Sequence, residues 1–309
     1  ATGIHPVEIQ TGYDVDGNNI SQEEEQIIKS DVNSLIESDF FNLDFSKIAG
    51  YEEVIEEVNK FGIVKTHDKE FIDFIRDLNA AHGLNFPPTP DSIIIESESY
   101  TDAERFVSAM AGELQLPVIR INVTETPQGL PALCVTGKAN NPPIYDRRLG
   151  KFNRPAVLIL DEFDLWCEPI NETLAHTHDE GFNPGIRETI CIISAAVHDP
   201  QVSVIVSVQS GCNFKTLAFD LLYPFKTVRL NMPNHSERKA LYRLIKSKCP
   251  SIKDIEMHEF VKLTKNLSRT DILYATQDAV EEAYRRSVEN KAFIQVRPKD
   301  LYQKLAQYQ

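Results

Sequence analysis

The chain has 309 residues, 42% of them apolar and 25% charged, with a formal net charge of −14. That composition is ordinary for a soluble globular protein and leaves room for one large core or two domains. An acidic balance without clustered Lys and Arg argues against a nucleic-acid partner, because neutralising phosphates takes a basic face.

The N-terminal ATGIHPVEIQTG has neither a basic head nor an apolar stretch, so it is not read as a signal peptide. It lacks a Met, which suggests a processed chain or a piece of a longer one. Residues 1–45 read as an acidic arm or linker. Within them SQEEEQIIKSDVNSLIESDFF has Ile27, Ile28, Val32, Leu35 and Ile36 at helical spacing, with Ser21 as N-cap and Glu24 at the capping-box position. From about residue 46 the pattern changes. KIAGYEEVIEEVNKFGIV predicts a helix from near Tyr51, and HDKEFIDFIRDLNAAHG a second that ends at Gly83.

After the Pro-rich 86–92 come strand SIII, helix TDAERFVSAMAGELQ, strand PVIRINV, a long loop over 124–152, and strand AVLILDEF. A helix over 182–199 and strand VSVIVSVQS follow. Continuous Ile/Val strands alternating with helices predict an α/β fold, a parallel sheet with helices on both faces. The remainder, 233–309, reads as helical and predicts a small all-α C-terminal domain. No run is long enough to cross a bilayer, so no membrane segment is expected. The five Cys (134, 167, 191, 212, 249) contain no CxxC pair and read as buried thiols of a cytoplasmic, reducing compartment.

Two stretches bear on chemistry. VLILDEF carries Asp161-Glu162 at the tip of a buried strand. In P-loop NTPases such an Asp holds magnesium and such a Glu orients the attacking water. The same pair also occurs where a carboxylate caps the next helix or pairs elsewhere. LAHTHDEGF gathers His176, His178, Asp179 and Glu180, a set that zinc would accept. Paired His in a polar loop is more often solvated surface, and no metal site is assigned.

Several segments together resemble the AAA+ family, in its AAA subgroup of ATPase modules. These are KIAGYEEVIEEV, SAMAGELQLPVIRINVTE, LNMPNHSERKALYRLI and NLSRTDILYATQDAVEEAYRR, covering roughly residues 45–290. The resemblance implies a P-loop-NTPase-like body at about 46–232 and a helical lid at 233–309. It also implies a nucleotide between them, contacted by the turn at Ile48 and Gly50.

The phosphate-binding loop falls on SESYTDAE, 97–104. Every family Gly is missing there, Thr101 and Asp102 stand in the loop, Ala103 takes the Lys position, and Glu104 replaces the hydroxyl that binds magnesium. A phosphate cradle needs Gly backbone and a cation. Carboxylates at that place repel a triphosphate, and Asp102 and Glu104 are expected to cap the helix instead. The family's sensor Asn falls at Gln209, and its two trans Arg at Asp220 and Tyr223. The segment TETPQGLPALCVTG has no aromatic residue where substrate-threading loops carry one. Arg269 stands where the lid's sensor Arg would, though a surface salt bridge is the expected role.

The reading is therefore a pseudo-ATPase with no bound cofactor. It serves assembly, scaffolding or regulation through protein partners, related AAA+ subunits among them, in a homo- or hetero-oligomer. The alternative is an active or nucleotide-binding ATPase using ATP and magnesium, alone, in a mixed ring, or as half of a tandem protein. Asp161 and Glu162 then keep their catalytic roles.

Overall fold

A computed structural model describes residues 5–9, 43–60, 68–85, 92–125, 131–137, 144–175 and 184–309. The predicted helix over 21–41, the His176–Glu180 cluster and the Pro-rich 86–91 lie outside them. Five strands make a parallel sheet: β2 (Ser92–Ser97), β3 (Val118–Glu125), β7 (Ala156–Leu160), β8 (Val202–Gln209) and β9 (Phe225–Leu230). They lie in the order β3-β7-β8-β2-β9, so the first of these five along the chain sits between the fourth and the fifth. In open α/β sheets ligands are held beyond the carboxyl ends of the strands where the strand order reverses.

The central strands β2, β7 and β8 are rich in Ile, Val and Leu because both of their faces are covered. Ile93, Ile95, Val157, Ile159 and Ile205 pack against α1 (Glu52–Lys60) and α3 (Tyr100–Leu114). Ile94, Leu158, Leu160, Val204 and Val206 face α4 (Cys167–Ala175), α5 (Pro184–Val197) and α6 (Leu217–Asp220). One amphipathic helix, α2 (Lys69–His82), buries none of its residues and ends, as its sequence predicts, on Gly83 in the left-handed conformation.

Two expectations are corrected. The 124–152 region is not a loop throughout. Residues Pro131–Gly137 form β4, antiparallel to β3, and Tyr145–Asp146 (β5) pairs with Lys151–Phe152 (β6). The 1–45 region is not only an arm, because His5–Ile9 (β1) adds to β4 as the outermost strand. Neither strand is long or uniformly apolar, and tertiary pairing overrode the local signal. The thiols also differ from expectation: of the four with described side chains, Cys249 is buried, Cys167 and Cys212 are half-buried, and Cys191 is exposed on α5.

The C-terminal residues form α7 (His235–Lys248), α8 (Met257–Leu263), α9 (Arg269–Asn290) and α10 (Pro298–Gln307). They share an apolar core of their own, running from Leu241 to Leu305.

The segment leading into α1 is pressed against α3 at Gly112. A Cβ added there would stand 1.7 Å from the Leu43 carbonyl oxygen. That obstacle is backbone and has no rotamer to escape into. Gly112→Ala is therefore expected to destabilise the chain by about 3 kcal/mol or more, read as a lower midpoint in chemical denaturation.

Candidate functional site

The site is built at the carboxyl ends of β2 and β7 and the start of α3. Only Glu98 and Ser99 separate β2 from α3, so no loop remains to wrap a ligand. Residues 97–104 close on themselves. Ser97 Oγ donates to the Ser99 carbonyl at 3.0 Å, Ser99 N–H returns to Ser97 Oγ at 3.1 Å, and Ala103 N–H reaches the Ser99 carbonyl at 3.0 Å. Ser99 is the N-cap, its Oγ accepting from Asp102 N–H at 3.3 Å and lying 3.1 Å from Thr101 Oγ. Neither Asp102 nor Glu104 caps α3, contrary to expectation. Ser99 holds the position just before the first turn, from which a side-chain oxygen reaches the free amide, whereas Asp102 and Glu104 lie within the helix.

Asp102 instead works across the fold. It is 1% exposed. Its Oδ1 accepts from Thr270 N–H at 2.8 Å and Thr270 Oγ1–H at 2.7 Å. Its Oδ2 accepts from Arg269 N–H at 2.9 Å and Arg269 Nη1 at 3.3 Å. The acid thereby caps α9, an element 167 residues further along the chain.

Arg269 is a hub and not the expected surface salt bridge; it is 2% exposed. Its Nε donates to the Gly50 carbonyl, Nη1 to the Asn231 carbonyl at 2.8 Å, and Nη2 to Glu237 Oε2 at 3.0 Å. The guanidinium lies over the Tyr51 ring at 4.6 Å. Surface pairing fails as a reading because Asp102 and Glu237 are themselves buried and draw the cation inward. Gly50 adopts φ +82°, and a Cβ there would come within 2.8 Å of Leu241. The turn thus needs Gly to bring its carbonyl to Arg269. Ile48 packs nearby in the core with Tyr51. Burial, then the Asp102 charge, push the Tyr51 hydroxyl far above the usual phenol range.

The second cluster surrounds Asp161. Arg120, from the middle of β3, forks onto it: Nε donates to Oδ2 and Nη2 to Oδ1 at 3.0 Å, while Nη1 donates to Ser108 Oγ at 2.8 Å. Burial works against the Arg120 charge, but the Asp161 hydrogen bond and charge outweigh it and hold the guanidinium above its ordinary range. The cation beside Asp161 is therefore part of the chain. Glu104 stands 3.9 Å from Arg120. Burial raises its carboxyl above the usual range, as do Asp161 and Glu162, against the opposing Arg120 charge.

Glu162 leaves β7 with φ 50° and ψ 44°, a left-handed backbone unusual for a side-chain-bearing residue. Ser207 Oγ accepts its N–H at 2.9 Å. Burial raises its carboxyl too, followed by the charges of Asp161 and Asp164. Tyr100 donates its hydroxyl to Asp164 at 2.6 Å, so Asp164 is also occupied. Gln209 is exposed, and only its backbone N–H reaches the site, at 3.3 Å from Asp164.

The structure thus joins Gly50, Asp102 and Arg269 in one network, and Glu104, Asp161 and Glu162 around Arg120. Thr101 and Ala103 lie in the first turn of α3 and reach neither network by side-chain hydrogen bonds. Asp220 and Tyr223 are exposed at and just beyond α6.

Sequence reasoning missed Arg120, Glu237, Tyr51, Tyr100 and Asp164. A signal existed for two of them. Arg120 interrupts an apolar strand, and a buried charge must be paired. Asn234-x-x-Glu237 is a capping box, present here with bonds of 3.0 and 2.9 Å.

The residues do not fit a magnesium–triphosphate. Three of their carboxylates already hold partners, Arg120 for Asp161, Arg269 for Asp102 and Tyr100 for Asp164, and Glu104 lies beside them without a lysine. Among the described residues no group of three or more His, Cys, Asp or Glu could hold a metal ion, and no helix is long and apolar enough to cross a membrane. No protein-family model matches the chain, and no curated protein matches it.

Proposed function

We propose that the chain is a degenerate AAA+ module, a pseudo-ATPase that assembles with or regulates protein partners and does not turn over nucleotide. The order in which the five parallel strands lie is compatible with a P-loop-type body, and a helical segment follows it where a lid would stand. The observation that carries the non-catalytic part is the Arg120 guanidinium on Asp161. A cation supplied by the chain removes the reason for that carboxylate to bind a magnesium ion. The buried Asp102–Arg269 pair acts the same way on the place of the phosphates, since any anion there would have to displace it.

Support for protein contacts comes from the surface. Tyr284 and Val288 on α9, and Phe293 just beyond it, are 71%, 60% and 79% exposed. Neighbouring apolar side chains left in water commonly mark contact surfaces. Free thiols without a disulfide among the described residues fit an intracellular setting.

Titrating the purified chain with ATP and magnesium in a calorimeter tests the reading. The expected result is no binding heat at millimolar nucleotide. Magnesium-dependent binding would favour the alternative, a nucleotide-holding ATPase, and would require Arg120 to release Asp161.

A further inference from the structure

Arg105, in the second turn of α3, is 3% exposed, and its Nη1 and Nη2 have no hydrogen-bond partner. A buried guanidinium without partners is among the least favourable arrangements a fold can hold. A carboxylate is nonetheless within reach. Asp102 stands three residues earlier on the same helix, and side chains at that spacing are neighbours on a helix surface. Asp102 does not serve Arg105 here. All four of its side-chain hydrogen bonds go to Arg269 and Thr270 in the first turn of α9. The Arg105 charge is felt at the Tyr51 hydroxyl, the ring over which Arg269 lies, so both cations border the same junction.

We propose that Asp102 is a shared acid with two mutually exclusive partners: the first turn of α9 in the closed arrangement seen here, and Arg105 in an open arrangement in which α9 has withdrawn from α3. Opening then exchanges one ionic contact for another. The C-terminal helices become a two-position arm, and a partner that prefers either position can bias it. The proposal does not depend on the pseudo-ATPase reading, because it rests on the Asp102 contacts and the unpartnered Arg105 alone.

The substitution Arg105→Met, which keeps the length and drops the charge, tests it. In the closed state it removes an unmatched charge, and in the open state it removes the alternative partner. Hydrogen exchange at the Arg269 and Thr270 amides, both held by Asp102, should therefore slow by about tenfold or more. Unchanged or faster exchange overturns the proposal. Failure of Arg105→Met to fold overturns it too, since losing an unpaired buried cation should not cost stability.

A second measurement asks for a reversal of sign. Arg105→Met should raise the melting temperature of the otherwise native chain. It should lower that of the Arg269→Met chain, where Asp102 has turned to Arg105; Arg269→Lys serves as the milder background. The same sign in both backgrounds gives Arg105 a merely structural role and overturns the exchange of partners.

Discussion

Arg269→Met is expected to lower the unfolding free energy by about 3–5 kcal/mol, measured as a shift of the midpoint in chemical denaturation. The side chain makes contacts to four separate places: Asp102, the Gly50 carbonyl, the Asn231 carbonyl and Glu237. Its flat face also covers Tyr51 at 4.6 Å. Removing it leaves Glu237 buried with an uncompensated charge, which burial already disfavours: its carboxyl is pushed above the usual range, against the pull of Arg269. A second substitution, Glu237→Gln, should therefore recover roughly 1–2 kcal/mol in the Arg269→Met background, because the unmatched acid is gone. In the native background the same Glu237→Gln should cost stability, since it strips Arg269 of a charged partner. Arg269→Lys should fall between native and Met. One ammonium cannot reach carbonyls and carboxylates on several sides as a planar fork does. A loss below about 1 kcal/mol for Arg269→Met, the range of exposed ion pairs, would return Arg269 to the surface role that its sequence position suggests.

The second large effect falls on Asp161. Asp161→Asn is expected to cost about 3–5 kcal/mol, because it strands the buried Arg120 guanidinium. Arg120→Met should cost a similar amount by leaving Asp161 and Glu104 facing each other without a cation. The double variant Arg120→Met, Asp161→Leu should lose less than either single variant, since a buried pair replaced by apolar side chains removes the unmatched charge together with the contact. This pattern separates two roles for one carboxylate. An Asp kept for magnesium would be destabilising to the fold when ionised and unoccupied, and its neutralisation would stabilise the chain. An Asp kept for Arg120 gives the reverse sign, and equilibrium denaturation of the three variants reads it directly.

Much of the layer structure was legible from residues alone. SIIIES, AVLIL and VSVIVSV are dominated by Ile, Val and Leu, as a sheet covered on both faces requires, and all three are central strands. Gly83 announced a helix end and performs it here. The absence of Gly over 97–104 fits a turn after β2 that closes on itself, since a wrapping loop needs residues free to adopt positive φ.

What misled was locality. Asp102 and Glu104 looked like caps of their own helix because charge and position fitted the helix dipole, yet Ser99 took the cap and released Asp102 to another element. Arg269 looked like a surface residue because a lone Arg at a helix start commonly makes a surface salt bridge. Its true partners lie at Asp102, Glu237 and Gly50, up to 219 residues away. The strands β1 and β4 were invisible for a related reason: their pairing depends on segments distant in sequence, and their own residues carry little of that signal.

The sequence by itself thus determined the alternation of strand and helix and the covered faces of the central strands. These depend on short-range periodicity and on the conformations that individual residues allow. Only the tertiary structure decided which charges meet. Arg120 on Asp161 and Arg269 on Asp102 are pairings between distant segments, made because a buried acid must meet a cation and only the fold brings one to it.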